Sequence, residues 1–276
     1  MKRIDILLAT HNGEKYLQEQ LDSIFNQSYK NWRLIIHDDN SSDTTVNIIC
    51  AYKKKHPQRI IYIKDNKSFG NASANFSFLL EHADTNYIMF ADQDDVWLNH
   101  KIEKTFQKME EMEKKYGSNK PLMVFSDLSV VDTQLNTLAP SMWKEQRLDP
   151  EIIYDLYSIL ALNVVTGCTI MINKCAKEYV SPMPVSDTTH DHWIAVNISK
   201  YGYAGYIDEP LVLYRQHSNN TLGANSRGIR YFMKKVLYIL KNIKGFQSKY
   251  SHFDFPLSLG KIILKKITLN SHRFIP

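Results

Sequence analysis

The sequence has few cysteines, and they form no pattern that would bind a metal or cross-link the fold. Cys50, Cys168 and Cys175 are the only three among 276 residues, and no two of them are spaced as Cys-x-x-Cys. Such a set argues against both a disulfide framework and a thiolate zinc site. With 43% hydrophobic and 23% charged residues, the composition is that of an ordinary globular protein. We expect one main domain with an appendage, in a reducing cytosol.

Long apolar runs are also lacking. The longest apolar region, 156–172, is interrupted by polar residues and by Gly167, so it falls short of the roughly 20 apolar residues that a spanning helix needs. Asp5 stands where a signal peptide would have its apolar stretch. We therefore expect no transmembrane segment and no export by a signal peptide.

Glycine is missing where a dinucleotide-binding loop would need it. The loop after the first predicted strand reads Thr10-His11-Asn12-Gly13, whereas a Rossmann dehydrogenase has Gly-x-Gly-x-x-Gly there, so that the backbone can approach the pyrophosphate. The sequence argues against that class of enzyme.

Acidic residues are nearly absent from the end of the chain. From Arg227 onward there are 11 lysines and arginines and one acid, Asp254, a charge of +10, so the other 23 basic and 28 acidic residues give −5. Apolar residues recur every three or four positions over 229–243, which predicts a basic amphipathic helix. The tail either binds an anionic membrane surface or packs on the main domain with its lysines solvated. A nucleic-acid binding module would explain the tail but would leave the acidic pocket unexplained.

The first half of the chain alternates β-rich runs with helix-period segments, which predicts βαβ units and a mostly parallel sheet. Strands are predicted over 4–9, 32–37, 60–64 and 87–91. Helices are predicted over 14–27 and 75–82, and a further helix is predicted to start with Ser42 or Asp43 as its N-cap. In the second half we predict helices over 98–116 and 190–201 and strands over 122–128, 203–207 and 211–215, with a β-branched apolar segment over 163–172.

Carboxylates gather at the end of one predicted strand. Asp92, Asp94 and Asp95 directly follow an apolar run, and like charges so close together repel unless a cation or protons intervene. The Asp-x-Asp spacing directs two carboxylates to one side of an extended chain, where they can hold Mg²⁺ or Mn²⁺ together with substrate phosphates. Capping of the following helix is the alternative, and for Asp95 it is equally plausible.

Several blocks, in this order, resemble glycosyltransferase family 2 enzymes of the GT-A fold, over residues 6 to about 221. The blocks are Leu8-Ala9-Thr10-His11-Asn12-Gly13, Asp38-Asp39-Asn40-Ser41-Ser42-Asp43, Phe90-Ala91-Asp92-Gln93-Asp94-Asp95-Val96-Trp97, Thr166-Gly167-Cys168, His190-Asp191-His192-Trp193 and Tyr214-Arg215-Gln216-His217-Ser218-Asn219-Asn220-Thr221. The resemblance implies an α/β fold with a Rossmann-like central sheet. We expect a GT-A domain over 1–226, with a nucleotide-binding half (about 1–97) and an acceptor half (about 98–226), and a basic helical extension over 227–276.

The resemblance also implies roles for the donor-binding residues. The nucleoside would lie against Thr10, His11, Asn12, Glu14 and Asp39, and the diphosphate and sugar against Asn66, Gly70, Asn75, Asp92 and Arg215. Alone, His11 would be read as a loop histidine and Asp39 as a turn former. Asn75 could instead satisfy backbone groups at the start of a helix.

The resemblance also implies which residues bind the metal, which one is the catalytic base and which contact the acceptor. Asp92 and Asp94 match the family's metal motif, with His217 as a further ligand. Asp191 matches the inverting base, which removes a proton from the acceptor hydroxyl; capping of the helix that follows is the alternative. The residues expected to contact the acceptor are Trp97, Gly167, Cys168, His190 and Trp193.

The blocks are most like those of bacterial rhamnosyltransferases, which implies dTDP-L-rhamnose as donor and a capsular, cell-wall or lipid-linked saccharide as acceptor. A UDP-hexose or UDP-N-acetylhexosamine donor is the alternative, and a metal-dependent phosphohydrolase is the rival class. The chain lacks the Gln-x-x-Arg-Trp motif of processive members, so we expect single additions. A cytoplasmic enzyme peripheral to the inner membrane face would fit these expectations.

Overall fold

A computed structural model describes residues 2–65, 67–184, 188–217, 247–248 and 250–274. Within these residues nine strands form one mixed sheet, in the order β3-β2-β1-β4-β8-β6-β9-β5, with β7 paired to β6. Helices cover both faces of the sheet, as the sequence predicts for an α/β fold.

The first half consists of parallel βαβ units. Its elements are β1 (Ile4–Thr10), α1 (Leu17–Phe25), β2 (Trp32–Asp38), α2 (Thr45–Lys55), β3 (Ile60–Ile63), α3 (Ala72–Glu81) and β4 (Tyr87–Ala91). β1 lies between β2 and β4, and β2 pairs with β3, all in parallel. The prediction of parallel units is confirmed. The second helix begins at Thr45, after both predicted caps, and α3 begins three residues before the predicted start, with Asn71 as its N-cap.

The second half is mixed. Its elements are β5 (Val96–Trp97), α4 (Lys101–Tyr116), β6 (Leu122–Val131), β7 (Thr137–Ala139), α5 (Met142–Glu145), a 3-10 helix (Pro150–Tyr154), α6 (Leu156–Ala161), a 3-10 helix (Gly167–Thr169), β8 (Met171–Asn173), α7 (Lys174–Val180), α8 (His190–Tyr201), β9 (Tyr203–Arg215) and α9 (Leu259–Phe274). β8 is antiparallel to both β4 and β6, and so joins the two halves of the sheet.

One long strand replaces the two short ones predicted over 203–207 and 211–215. β9 runs without a break beside β6, and the register between them shifts after Ser126, so that Asp127 lies opposite Pro210. Proline donates no hydrogen bond to a sheet and is tolerated at such irregularities. The polar residues around Pro210 therefore mark a bulge, and the prediction of two separate strands is wrong.

The core lies on both faces of the sheet because its central strands are apolar on both sides. In β1, Ile6 and Leu8 face one core and Leu7 faces the other. Such two-sided burial is typical of parallel strands covered by helices on both faces. Ligands of open α/β sheets bind at the carboxyl ends of the strands, so the polar residues at those ends are where a ligand is expected.

The described part of the C-terminal extension packs on the main domain. α9 lies against α6, where Ile262 is fully buried and the Lys266 ammonium donates to the Ala161 carbonyl oxygen at 2.7 Å. The predicted amphipathic helix over 229–243 lies outside the described residues. Among the described helices, none combines the length and the hydropathy needed to cross a membrane.

Candidate active site

The loops after β1 and β2 are joined by hydrogen bonds. The Thr10 hydroxyl donates to the Asp38 carboxylate at 2.8 Å, and the backbone N–H of Asn12 donates to the Ser41 hydroxyl at 2.8 Å. Glu14 accepts from the Thr44 hydroxyl at 2.7 Å. Thr10 lines the pocket described below. Asn12 and Glu14 do not line it, and their hydrogen bonds hold the two loops together.

His11 is held from two sides at the pocket wall. Its ring Nδ1 lies 2.8 Å from the Asp39 carbonyl oxygen. The side chain of Gln93 accepts from the His11 amide at 2.9 Å and donates to its carbonyl at 2.8 Å. A Cβ on Gly13 would lie 2.2 Å from the Gln93 oxygen, so glycine is needed there for Gln93 to reach His11. The sequence motif contains Gln93 but gives no sign of this role.

Asp39 is buried and bound to the loop that follows β3. Its carboxylate accepts hydrogen bonds from the amides of Phe69 and Gly70, the latter at 2.8 Å. Gly70 has a positive φ of 69°, which favours glycine. Asp39 and Gly70 thus reach one pocket wall, whereas Asn66 lies outside the described residues.

Asn75 lies in the second turn of α3, not at its start, so the capping alternative for this residue is wrong. Its side-chain oxygen lies 2.8 Å from His37 Nδ1, and the other ring nitrogen lies 3.1 Å from Asp65. Asn75 lines the pocket in an orientation that His37 fixes.

The loop after β4 brings two of the three predicted metal ligands into contact. Asp94 Oδ2 lies 2.8 Å from His217 Nε2, and both side chains are partly exposed. Asp94 lines the pocket. Two ligands at about 90° on an octahedral ion with bonds of about 2.1 Å would be separated by a similar distance. Asp92 lines the same pocket. These oxygen and imidazole donors fit Mn²⁺ or Mg²⁺.

Charge in this loop is poorly compensated. Burial, with the negative charges of Asp94 and Asp191, raises the pKa of Asp92 to about 7. Burial, with the negative charges of Asp94 and Asp92, raises the pKa of Asp95 well above its usual range. A cation bound at this loop would offset the repulsion among the carboxylates.

Arg215 does not line the pocket, contrary to its predicted contact with donor phosphates. The side chain is fully buried and donates to Glu19, to the Asp94 carbonyl at 2.9 Å and to the Thr133 carbonyl at 2.7 Å. These contacts tie β9 to the loop after β4, so the assignment to donor binding is corrected to one of support.

Asp191 lies in the first turn of α8 and lines the same pocket as His11. Its Oδ1 accepts from the Thr189 hydroxyl and, at 2.6 Å, from the His192 amide. Among the described residues, no hydrogen bond to Oδ2 is found. The N-cap position is occupied by Thr189, so Asp191 is not the cap, and one carboxylate oxygen is left for a ligand.

His190 packs against Gly167 at the base of the pocket. A Cβ on Gly167 would lie 2.1 Å from His190 Nε2, which excludes every larger residue at that position without movement of the ring. Nε2 is buried and has no hydrogen-bond partner among the described residues. Both residues line the pocket, and their contact with an acceptor stays a prediction.

Three other predicted acceptor contacts are wrong because the side chains are in the core. Trp97 is 2% exposed, and Cys168 is fully buried beside Asp95. Trp193 is 9% exposed, stacks on Phe253 at 4.9 Å and donates to the Val180 carbonyl at 2.8 Å. These side chains cannot stack on a sugar without unfolding their surroundings.

Together these loops enclose a cleft of about 580 Å³ at the carboxyl ends of β1, β2 and β4. Sequence reasoning missed several of its polar residues, which are Ser68, Asn71, Ser73, Gln93, Thr188, Thr189 and Tyr214. A second cleft of about 700 Å³ lies near the amino ends of β1 and β4. There Lys2 is paired with Glu113 at 3.2 Å. Because ligands of open α/β sheets bind at the carboxyl ends of strands, the first cleft is the candidate active site.

Comparison with known proteins places this architecture among sugar transferases. The family model described as Glycosyl transferase family 2 matches residues 5–119. The chain is 29% identical over 231 residues to the dTDP-rhamnosyl transferase RfbG of Shigella flexneri, covering 79% of this chain and 74% of that protein. It is 37% identical over 110 residues to the UDP-Glc:alpha-D-GlcNAc-diphosphoundecaprenol beta-1,3-glucosyltransferase WfaP of Escherichia coli, covering 40% and 42%.

A solved structure shares the fold. The mannosyltransferase PcManGT of Pyrobaculum calidifontis, in complex with GDP-Man and Mn²⁺, superposes with a TM-score of 0.60 at 14% identity, covering 99% of this chain and 71% of that one. At this identity the likeness concerns the fold, which is GT-A, as the sequence predicts.

Proposed function

We propose that this glycosyltransferase, whose residues 5–119 match the family model described as Glycosyl transferase family 2, transfers one sugar from a nucleotide diphosphate donor to a saccharide or lipid-linked saccharide acceptor, with inversion. The observation that carries this proposal is the convergence of Asp191 and of the Asp94–His217 pair on one cleft beside the loop of His11. An acceptor base, a cation site and a nucleoside loop are the three parts that such a transfer needs.

The donor end of the cleft binds the nucleotide and its diphosphate. His11 and Asp39 would contact the nucleoside, and Gly70 and Asn75 the diphosphate and sugar. Asp92, Asp94 and His217 would hold Mn²⁺ or Mg²⁺. When bound, the cation stabilises the charge that develops on the leaving diphosphate more than the charge of the ground state.

Asp191 would be the catalytic base. Its Oδ1 is held by Thr189 and by the His192 amide, so that Oδ2 can accept the proton of the acceptor hydroxyl. The attack comes from the side opposite the leaving diphosphate and inverts the anomeric carbon. His190 and Gly167, at the base of the cleft, would contact the acceptor.

For the donor we propose dTDP-L-rhamnose, supported by the 29% identity to a dTDP-rhamnosyl transferase over most of both chains. The shorter likeness to a UDP-glucose enzyme keeps a UDP-hexose or UDP-N-acetylhexosamine as the second candidate. The acceptor would be a growing capsular or cell-wall saccharide. The +10 charge of the C-terminal extension supports a peripheral position on an anionic membrane, where each nearby basic residue contributes about 1 kcal/mol.

The proposal is tested by incubating the protein with each nucleotide sugar, Mn²⁺ and a panel of lipid-linked saccharides. We expect one donor to give a product of inverted anomeric configuration, with little release of free sugar. A product of retained configuration would contradict the role of Asp191. Release of sugar 1-phosphate and nucleoside monophosphate at a rate that no acceptor changes would identify a phosphohydrolase instead.

A further inference from the structure

His37 is a buried histidine that the proposed mechanism does not use. It lies in β2, two residues before Asp39, and it is 1% exposed. Its ring packs against Phe78 of α3 at 4.9 Å and against Phe69, in the loop after β3, at 5.5 Å, both measured between ring centres. These contacts hold the ring in place, so each of its two nitrogens has a fixed partner.

One ring nitrogen has to be a donor. Nδ1 of His37 lies 2.8 Å from the side-chain oxygen of Asn75. The side-chain nitrogen of Asn75 donates to the backbone carbonyl oxygen of His37 at 3.4 Å, and the reverse orientation of that amide would bring two oxygens together. Since an amide oxygen only accepts hydrogen bonds, Nδ1 carries a proton.

The other ring nitrogen also faces an acceptor. Nε2 lies 3.1 Å from the carboxylate of Asp65, in the loop after β3. The hydrogen bond from the Lys67 backbone N–H, at 2.9 Å, lowers the pKa of Asp65, so this carboxylate is charged and cannot donate. A neutral ring with its proton on Nδ1 would direct the lone pair of Nε2 at the carboxylate, and the two would repel. Both hydrogen bonds form only when the ring has two protons and a positive charge.

We propose that His37 is a positioning residue, a doubly protonated ring that joins Asn75 of α3 to the loop after β3. Both partners belong to one wall of the cleft, because Asn75 lines it, as do Ser68 and Gly70, which follow Asp65 in that loop. The inference rests on the proposed contact of this wall with the diphosphate and sugar of the donor.

The charge of the ring makes this link sensitive to pH. As pH rises the ring loses a proton, and Nε2 then repels Asp65, so the loop is no longer held by the ring. As pH falls, the lowered pKa of Asp65 keeps its carboxylate charged. The link is therefore present while Asp65 is charged and His37 is protonated, and it is lost as pH rises further. Other titratable side chains around the ring are Lys67 after β3, Tyr62 in β3, His82 at the end of α3, and Asp38 and Asp39, which follow His37 in the chain.

Nitrogen NMR of the isotope-labelled protein tests the charge of the ring without any activity measurement. Assignment through the backbone identifies the His37 signals without a variant. We expect both ring nitrogens to be protonated in the wild-type protein at neutral pH. Asp65→Asn should lose the second proton at a lower pH than the wild type, because the carboxylate that stabilises the charge is gone. An unprotonated ring nitrogen in the wild type at neutral pH, or an unchanged titration in Asp65→Asn, would overturn the proposal.

Calorimetric titration with dTDP-L-rhamnose and with UDP-sugars, in the presence of Mn²⁺, tests the effect on the cleft wall. The comparison is between His37→Gln and His82→Gln, since His82 is an exposed histidine that also packs on Phe78, with its Nδ1 2.9 Å from the Phe78 carbonyl oxygen. We expect His37→Gln to raise the Kd of the donor about tenfold, as loss of a hydrogen bond to a charged group does, and His82→Gln to leave it unchanged.

The pH dependence separates positioning from general damage. The ratio of the donor Kd in His37→Gln to that in the wild type should shrink at the pH at which NMR shows that the wild-type ring loses its charge. Equal Kd values in the two proteins at neutral pH, or a ratio that is the same at every pH, would overturn the role of His37 and leave the donor site standing. If no nucleotide sugar binds the wild type, the proposed function fails, and the NMR titration alone then decides whether His37 is the doubly protonated link.

Discussion

Asp94 and Asp95 are adjacent in sequence but face different surroundings. Asp94 points to the cleft and contacts the partly exposed His217. Asp95 is fully buried and accepts a hydrogen bond from the backbone amide of Arg215 at 3.2 Å. The difference shows that one short loop has a face for chemistry and a face for support. Substitutions on the cleft face should therefore reduce activity, and those on the interior face should reduce stability.

Asp191→Asn should give the largest loss of activity. The amide keeps the size of the side chain but cannot accept a proton, so kcat should fall by about 100- to 10,000-fold, the contribution of a general base. The melting temperature should change little, because Thr189 and His192 still have an oxygen to which they can donate. Initial rates of transfer at saturating donor measure this effect, and a fall of less than tenfold would remove Asp191 from the chemistry.

Asp94→Asn should give the next largest loss, on the same face. Loss of one negative metal ligand should lower kcat by about 100- to 1,000-fold, as loss of a transition-state stabiliser does, and should raise the Mn²⁺ concentration needed for half-maximal rate. Rates measured over a range of MnCl₂ concentrations test both effects. Full wild-type activity in the presence of EDTA would contradict the metal assignment.

Arg215→Met should affect the interior face instead. It removes hydrogen bonds from a charged donor to the carbonyls of Asp94 and Thr133, which should lower the free energy of unfolding by about 2–4 kcal/mol. Chemical denaturation measures this change. If Arg215→Met kept wild-type stability and lost donor affinity only, the original assignment of Arg215 to the donor phosphates would be restored.

Gln93→Ala should have the smallest of these effects. Gln93 holds the backbone of His11 through two hydrogen bonds, each contributing about 1 kcal/mol. We expect donor KM to rise by about tenfold while kcat stays near the wild-type value. A fall in kcat with unchanged KM would show that Gln93 acts on the reaction rather than on the nucleoside loop.

The nucleotide-binding half could be predicted well because the information is local. Each central strand is an apolar run that ends in polar residues, as at Asp38 and Asp92, and the helices between carry their apolar residues at helical spacing. Parallel pairing then follows from the alternation of strands and helices. The contact between Asp94 and His217, 123 residues apart, was reached only through the family resemblance.

The acceptor half could not be predicted to the same depth because burial there depends on distant partners. Trp193 stands beside a catalytic motif, but Phe253 of the C-terminal extension covers it. Lys101 begins a helix rich in charge, so the sequence predicts a solvated side chain, but the fold buries it against the Trp97 ring. Tertiary packing decides whether a loop side chain faces the core or the cleft, and the periodicity of the sequence carries no information about that packing.

The most direct test of the metal-dependent donor site is calorimetric titration of the wild-type protein and of Asp94→Asn with dTDP-L-rhamnose and with UDP-sugars, each with and without Mn²⁺. We predict that one nucleotide sugar binds the wild-type protein, that Mn²⁺ tightens this binding, and that Asp94→Asn removes the effect of Mn²⁺. Binding of that donor with equal affinity in the presence and absence of Mn²⁺, in both proteins, would contradict the account.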